Sequence, residues 1–168
     1  IKNCDVKNFS YGIYLESSSS NTLTGNTASN NVNYGIYLNY SSNSTLTGNT
    51  ASNNVNYGIF LAFSSNNNVS CNSIINNTDC GIFLNAFSGN NTMANNNYCN
   101  NGDNNTVVCD EGIGNIRTNN ACGVSCVVVQ PTTPSSTGGG GGGGVSSGGL
   151  GPAPAATEEL KTIEEAKS

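Results

Sequence analysis

The sequence predicts an all-β protein folded as a right-handed parallel β-helix, a single-stranded solenoid with 23-residue coils. Three observations predict this fold: an internal repeat, alternation of apolar residues within each repeat, and a very polar composition. Glycine recurs every 23 residues, followed each time by Ile and Leu at fixed positions, at Gly12, Gly35, Gly58 and Gly81. Two-helix repeats are longer, from about 33 residues, and the abundant Asn, Ser, Thr and Gly are poor helix formers.

The alternation assigns the faces of the short strands. In "GIYL" and "TLTG" apolar residues occupy every second position, so Ile13, Leu15 and Leu23 are expected inside, with Tyr14 outside. Stacked coils lie about 4.8 Å apart, and each strand finds its hydrogen bonds on the coils above and below. Hydrophobic residues make up only 35% of the chain, but stacking joins a few per coil into a continuous core. The glycine column at Gly12 is expected at positive φ or in close backbone contact.

Two columns of asparagine follow the same period and are expected to be structural. Asn tolerates left-handed turns, and identical amides stacked at strand spacing form hydrogen-bonded ladders. The two columns are Asn3, Asn26, Asn49, Asn72, Asn95 and Asn8, Asn31, Asn54, Asn77, Asn100.

The repeat degrades towards the C-terminus. "NAFSGNN" at 85–91 contains one inserted residue, no further "GIYL" follows, and "NTVV" at 105–108 is expected to match the "NTLT" strand of a truncated coil. The predicted organisation is β-helix repeats at 1–110 and a Cys-rich cap at 111–130. A Gly/Ser/Pro linker follows at 131–156, and a short helix at 157–168 is capped by Thr157. The chain begins without Met, so we expect it to be part of a longer protein.

Seven cysteines favour an oxidising compartment. Disulfides are expected to staple the cap through Cys99, Cys109, Cys122 and Cys126 in a pairing that the sequence leaves open. Zinc binding by the same four residues is the alternative, although their spacing fits no standard zinc finger. Cys71 and Cys80 lie in one coil and are a candidate pair, and Cys4 is left over.

The other compositional signals point to the cell exterior. Glycosylation sequons begin at seven positions, although an Asn/Ser/Thr-rich chain also forms them by chance: Asn8, Asn39, Asn43, Asn68, Asn76, Asn90 and Asn104. The net charge is −5 and arises largely from the C-terminal glutamates, so no basic surface for nucleic acid is expected. No membrane-spanning run is present in the sequence. We therefore expect an extracellular or cell-surface protein.

The columns "GIYL" and "NTLTGNTxSNN" resemble the parallel β-helix repeats of NosD-like proteins over about residues 1–110. The resemblance implies the fold of carbohydrate-binding and sugar-hydrolase β-helix domains, in the style of archaeal surface-layer or secreted proteins. Some relatives belong to periplasmic copper pathways. That role does not carry over, because the chain has no His and a single Met.

No catalytic residues, metal or cofactor are predicted. β-Helix hydrolases need paired carboxylates, but Asp5, Glu16, Asp79 and Asp103 fall in different columns, and Lys2 and Lys7 are the only bases in the repeats. Asp110 and Glu111 are interpreted as turn-capping residues. An enzyme is expected only if coils preceding this segment carry a site.

Three functions are considered for the outer surface. The prediction is a non-enzymatic scaffold or adhesion module of a larger surface protein, whose partners are glycans, neighbouring subunits or further stacked copies. The alternative is carbohydrate binding by an outward aromatic row at Tyr14, Tyr37, Phe60 and Phe83. A weaker third hypothesis, ice binding, rests on a "TxT" array at Thr22, Thr24, Thr45 and Thr47, which is expected to end at Asn68 and Ser70, then Asn91 and Met93.

Overall fold

The computed structural model describes residues 1–102 and 108–126, which lie in the first of two compact units, Ile1–Pro131. The predicted linker at 131–156 and helix at 157–168 fall outside the described residues. The described residues contain fifteen short strands and no helix, arranged in three parallel sheets of five strands each. This confirms the predicted all-β parallel solenoid, and each coil contributes one strand to each sheet.

The aromatic sheet is the one whose outward side chains are Tyr and Phe. It runs through successive coils in the order β2, β5, β8, β11 and β14, with every neighbouring pair parallel and in register. Its strands are β2 (Tyr11–Glu16), β5 (Tyr34–Asn39), β8 (Ile59–Ala62), β11 (Ile82–Leu84) and β14 (Val108–Asp110).

The other two sheets use three-residue strands. The threonine sheet contains β3 (Thr22–Thr24), β6 (Thr45–Thr47), β9 (Asn68–Ser70), β12 (Thr92–Ala94) and β15 (Ile116–Thr118). The alanine sheet, named for the inward Ala of its second and third strands, contains β1 (Asp5–Lys7), β4 (Thr27–Ser29), β7 (Thr50–Ser52), β10 (Ser73–Ile75) and β13 (Asn97–Cys99).

The core is a set of inward columns, one residue per coil. Ile36 and Leu38 from the aromatic sheet, Leu46 from the threonine sheet and Ala51 from the alanine sheet have no exposed surface. Ile13 is 5% exposed and Leu15 is partly buried, because they belong to the first coil. Each coil therefore buries its few apolar side chains against copies of themselves, which is how a chain this polar forms a core.

The glycine column is required by close contact and not by left-handed geometry. Gly12, Gly35 and Gly58 are absent from the residues at positive φ. A Cβ on Gly35 would lie 2.7 Å from both Gly58 O and the Asn54 amide nitrogen. The backbone of one coil thus approaches the next more closely than any other residue allows.

Buried asparagine ladders join the coils at two turns. Asn26 donates its amide to Asn49 Oδ1 at 2.9 Å, and Asn49 donates to Asn72 Oδ1 at 3.0 Å. In the second ladder Asn31, Asn54 and Asn77 bond in the same way, at 3.0 and 2.8 Å. The backbone N–H of each lower Asn also donates to the same oxygen. These amides therefore satisfy one another.

The ladder register differs from the predicted columns at the C-terminal end. One residue is inserted between Leu84 and Ser88, because Leu84 pairs 23 residues from Leu61 while Ser88 bonds 24 residues from Ser64. The ladders therefore continue through Asn96 and Asn101, at 3.0 and 2.9 Å from the preceding rung. The prediction that Asn95 and Asn100 belong to these ladders is wrong. They lie instead at positive-φ turns with φ of 54° and 55°.

The first coil differs for a related reason. Asp5 pairs with Thr27, a spacing of 22 residues. The positions below Asn26 and Asn31 are therefore occupied by Cys4 and Phe9. The backbone N–H groups of these two residues donate to Asn26 Oδ1 and Asn31 Oδ1 at 3.0 and 3.2 Å. The predicted members Asn3 and Asn8 are wrong as buried ladder residues. They occupy left-handed turns with φ of 54° and 63°.

Two further ladders were not anticipated from the sequence. The backbone N–H groups of Ser41 and Ser64 donate to the hydroxyls of Ser64 and Ser88 at 2.9 and 3.1 Å. Asn67 donates its side-chain amide to Asn91 at 3.1 Å. Their spacing of 23 or 24 residues is present in the sequence, but many other serines and asparagines obscure it. Four buried polar ladders thus stabilise the turns.

The solenoid continues through the strands β14 and β15, although a loop-rich cap was expected from residue 111 onwards. Val108 pairs with Ile82 in the aromatic sheet, so the residues Val108–Asp110 take the place of a "GIYL" strand. The assignment of "NTVV" to the threonine sheet is therefore wrong. That place is taken by β15, in which Ile116 pairs with Thr92. The sequence pattern did not predict the pairing of β14 and β15, because neither strand keeps the apolar alternation of the earlier coils.

Three disulfides join the last coils: Cys71–Cys126, Cys80–Cys109 and Cys99–Cys122. The candidate Cys71–Cys80 pair within one coil does not form, because each half-cystine bonds to a later coil. Six cysteines are thereby oxidised, which leaves no thiolate in the last coils for the alternative zinc site. Cys4 is free and exposed.

Candidate binding faces

The aromatic sheet presents the expected outward row as a continuous stack. The ring centroids are 4.9 Å apart from Tyr14 to Tyr37, 4.9 Å from Tyr37 to Phe60, and 5.2 Å from Phe60 to Phe83. These distances match the spacing of coils, because the side chains extend from equivalent positions on paired strands. The structure therefore brings all four predicted residues together.

A second column of rings lies beside the first. Tyr11 stacks on Tyr34 at 5.5 Å and Tyr34 stacks on Tyr57 at 5.3 Å. The columns also contact each other, with Tyr57 at 4.7 Å from Phe83. Sequence reasoning missed this column, although its residues precede the repeated glycines at the same 23-residue spacing. We call the seven rings together the aromatic face.

The rings of the aromatic face mostly cover one another. Tyr37 and Phe60 are within 3° of parallel, so their faces lie against neighbouring rings and their edges point to solvent. Tyr14 and Tyr11, on the first coil, are the most exposed, at 41% and 36%. Burial raises the pKa of Tyr37 to about 12, so its hydroxyl stays protonated and available as a hydrogen-bond donor.

Both columns end on a single disulfide. Cys109 pairs with Phe83 in the parallel register, so it occupies the next position of the first column. Cys80 follows Tyr57 by one coil in the second column, and its carbonyl accepts from Gly58 N at 3.4 Å. The Cys80–Cys109 bond therefore covers the C-terminal end of the aromatic face.

A third set of rings, the turn row, is more exposed. Tyr40, Phe63 and Phe87 follow the strands of the aromatic sheet and stack at 4.6 and 4.9 Å. They are 55%, 39% and 68% exposed. The sequence signal was their spacing of 23 and 24 residues, which a prediction focused on strands overlooked. Among the described residues, no further aromatic ring stacks on Tyr40 or Phe87 at the two ends of the row.

The threonine sheet carries the predicted "TxT" array outside. Thr22 and Thr45 pair in register, as do Thr24 and Thr47. Beyond Asn68 and Ser70, however, the next outward residues are Thr92 and Ala94. The predicted continuation through Asn91 and Met93 is wrong, because both of those side chains are buried.

The acidic residues form no catalytic arrangement in the described residues. Glu16 pairs in register with Asn39 and Asp5 with Thr27, so neither lies beside another acid in the sheets. Asp110 accepts hydrogen bonds from Gly112 N at 3.0 Å and from the Asn115 amide at 2.7 Å, as a turn-capping residue does. Asp103 lies outside the described residues. No group of three or more His, Cys, Asp or Glu side chains assembles within 1–102 and 108–126.

The sequons differ in setting. Asn39 and Asn68 lie in strands, whereas Asn43, Asn76 and Asn90 lie at exposed turns with positive φ. Asn8 is also an exposed turn residue, and Asn104 is outside the described residues. Glycosylation at these positions stays a prediction. Across the part of the chain that the structure describes, no helix has the length and hydrophobicity needed to cross a membrane.

The fold and its disulfides define a parallel β-solenoid of an oxidising compartment. The chain matches the family model described as "Periplasmic copper-binding protein (NosD)" over residues 1–122, and it belongs to that family. The family's description and the three disulfides together indicate a periplasmic or extracellular location.

One solved structure supports the fold independently. A mutant of the periplasmic alginate epimerase AlgG is similar to this chain with a TM-score of 0.59 at 19% sequence identity. The similarity covers 71% of this chain and 39% of the epimerase chain, so this chain spans well under half of that enzyme. At this identity the likeness concerns the fold alone. No curated protein matches the chain significantly.

The residues of this chain do not fit the copper site that the family description implies. Copper in proteins is held by His, Cys and Met. The sequence contains no His, and its one Met, Met93, is fully buried in the core. Six cysteines are in disulfides, and the exposed Cys4 is the single free thiol among the described residues.

Proposed function

We propose that this chain is a non-enzymatic β-helix scaffold or adhesion module of a larger protein exported from the cytoplasm. The observation that carries the proposal is that the repeated polar residues form hydrogen bonds with one another from coil to coil. The buried Asn and Ser ladders direct their donors and acceptors to neighbouring coils. Buried turns that satisfy one another in this way hold the coils in a fixed stack, which suits a spacer whose task is to keep shape and distance.

The charged residues support the same proposal. β-Helix enzymes that act on polysaccharides need groups that transfer protons at a shared site. The described carboxylates are dispersed, and Asp110 is engaged in turn contacts. The similarity to the alginate epimerase, at 19% sequence identity, concerns the fold alone.

The test of the scaffold proposal has two parts. Beads coated with the chain are mixed with beads coated with glycans, with the same chain, or with albumin, and aggregation is scored. Polysaccharides, including alginate, are incubated with the chain and examined for cleavage or epimerisation. Aggregation without turnover is expected. Turnover that survives repurification would overturn the non-enzymatic proposal.

A second candidate function is glycan binding, and the turn row favours it. Sugar rings stack on uncovered aromatic faces, and the turn row ends in Tyr40 and Phe87, which are 55% and 68% exposed. The aromatic face is less suited, because its rings cover one another. This moves the candidate site from the predicted row at Tyr37 and Phe60 to the adjacent turn.

A glycan array separates the two locations. Tyr40→Ala and Phe87→Ala are compared with Tyr14→Ala, which removes the most exposed ring of the aromatic face. Loss of glycan binding in the first two variants, with retention in the third, is the expected result for a turn-row site. Binding that is indifferent to all three changes excludes both aromatic sites.

A further inference from the structure

The last described coil changes the character of the interior. Asp110 occupies the column above Leu84, and Arg117 occupies the column above Met93. Both columns are apolar in the preceding coils. The side chain of Asp110 is 8% exposed, that of Arg117 is 52% exposed, and Arg117 Nε lies 3.9 Å from Asp110 Oδ2. The solenoid interior therefore ends in a polar layer.

A buried tyrosine hydroxyl lies in the coil just below this layer. Tyr98 continues the inward column of Ala51 and Ile74, and it has no exposed surface. Its hydroxyl has no hydrogen-bond partner within the described part of the chain. The Asn96 amide near it already donates to Val69 O and to Asn120 Oδ1. An unpaired buried hydroxyl is costly, so it calls for a partner.

Burial raises the pKa of Tyr98, whereas the positive charge of Arg117 acts in the opposite direction. At neutral pH the hydroxyl therefore remains protonated and is a buried hydrogen-bond donor in the coil below the polar layer.

A hollow of about 380 Å³ opens at this end and is lined, among the described residues, by Val108, Arg117, Asn119 and Asn120. This volume is within the usual range for small-molecule sites, about 300–1,000 Å³. Arg117 Nε lies 3.9 Å from Asp110 Oδ2, which is beyond hydrogen-bond distance, so guanidinium N–H donors remain for a ligand. Asn119 and Asn120 each commit one amide hydrogen, to Asn95 Oδ1 and Met93 O.

We propose that this hollow binds a small oxyanion, a carboxylate or sulfate group such as an acidic sugar carries. The reason is an excess of donors at the hollow: the guanidinium and one hydrogen of each Asn amide face a ligand that only accepts. Asp110 Oδ1 accepts hydrogen bonds from Gly112 and Asn115. Its Oδ2 lies 3.9 Å from Arg117 Nε, too far to accept a hydrogen bond from the guanidinium at that atom. The negative charge of Asp110 and Glu111 opposes an anion, so millimolar affinity is expected.

The test uses the full chain and three probes at constant ionic strength: galacturonate, sulfate and galactose. Binding is followed by the NMR shifts of the Arg117 Nε–H and the Asn119 and Asn120 side-chain amides. Saturable shifts with galacturonate, and none with galactose, are expected. A response to sulfate as well identifies any oxyanion as the ligand, whereas a response to galacturonate alone identifies a carboxylate. Equal binding of galactose, or no binding at all, overturns the proposal.

Two variants assign the site. Arg117→Gln removes the charge and is expected to weaken galacturonate binding by at least about tenfold, since hydrogen bonds to charged groups are strong. Lys7→Gln makes the same charge change at the other end of the solenoid and is expected to leave binding unchanged. Tyr98→Phe removes a buried hydroxyl that does not line the hollow, so it is a second control and is expected to leave galacturonate binding unchanged. Unchanged affinity in Arg117→Gln would overturn the proposal.

Discussion

The Asn49 side chain donates an amide hydrogen to Asn72 Oδ1 at 3.0 Å, and the Asn49 backbone N–H donates to that same oxygen at 2.9 Å. Both residues are 1% exposed. One amide thus satisfies two buried donors of the coil below, and its nitrogen donates in turn to Leu46 O and Asn96 Oδ1. This relationship, repeated along two turns, ties the coils together independently of the apolar core.

Replacing Asn72 by Ala is therefore expected to be severely destabilising. The two Asn49 donors lose their acceptor inside the protein, where water cannot replace it, and we expect the free energy of unfolding to fall by about 3 kcal/mol or more. Urea unfolding measures the change. Asn68→Ala is the matched control, because Asn68 is an exposed residue of β9. Similar losses in the two variants would show that the buried ladder contributes little.

Removal of one whole coil is expected to be tolerated. Deleting residues 27–49 joins Asn26 to Thr50 and leaves every ladder in register, because the two repeats are nearly identical. The variant is expected to fold with one coil fewer and lower stability, since a solenoid is stabilised by contacts between neighbouring units. Circular dichroism and thermal unfolding test this.

The control deletion removes residues 27–48, one residue fewer. A shift of one position would direct inward side chains to the opposite face of the following strands. This variant is expected to lose the cooperative unfolding transition. If both deletions behave alike, the coils do not depend on the strict 23-residue register.

The disulfide pattern predicts a defined peptide map. Digestion without reduction is expected to yield the pairs Cys71–Cys126, Cys80–Cys109 and Cys99–Cys122. Mass spectrometry would contradict the structure if it detected a Cys71–Cys80 peptide instead.

The energetic effect of one bond can be measured separately. Replacing both Cys80 and Cys109 by Ser is expected to lower stability by about 3 kcal/mol, because the bond closes a chain segment with a sequence separation of 29 residues. Cys4→Ser is the control, since Cys4 is exposed and free. A pair variant as stable as that control would mean that the disulfide does not constrain the last coils.

Stability is expected to fall in alkaline solution because of Tyr37. Burial raises the pKa of its hydroxyl from 10.0 to about 12, so between these values the unfolded chain loses the proton that the folded chain retains. The contribution is fully present below pH 10 and is lost as the pH rises towards 12. Urea midpoints between pH 9 and pH 11.5 should therefore fall less steeply in Tyr37→Phe than in the parent.

Phe is a suitable replacement, because Phe60 occupies the equivalent position on the next coil. Tyr40→Phe serves as a control for the loss of one hydroxyl in the turn row. The prediction is wrong if the pH dependence of Tyr37→Phe equals that of the parent. Cys4→Ser should be present in all these proteins, so that thiol exchange does not complicate the alkaline range.

Register explains where sequence reasoning succeeded and where it failed. The columns of Ile36, Leu46 and Asn49 were readable because an uninterrupted period aligned them. After the insertion, Asn95 and Asn96 are adjacent identical residues, and only pairing decides which is buried. The same one-residue ambiguity explains why Asn91 was expected at the outward position of the "TxT" array that Thr92 occupies.

The cysteines and the turn row show a second limit. Cys80 and Cys109 are 29 residues apart, and nothing in their local sequence indicates that they occupy adjacent positions of two aromatic columns. Tyr40 and Phe63 had the right spacing, but their exposure depends on a turn geometry that strand alternation does not describe.

The sequence by itself determined the solenoid, its coil length and its inward residues, because each coil repeats one local pattern and the same hydrogen bonds and contacts recur. Only the tertiary structure decided the disulfide partners, the ladder register beyond the insertion, and the polar end where Arg117 lies near Asp110. These features join residues from coils that no longer resemble each other, so their positions depend on three-dimensional pairing and not on a period.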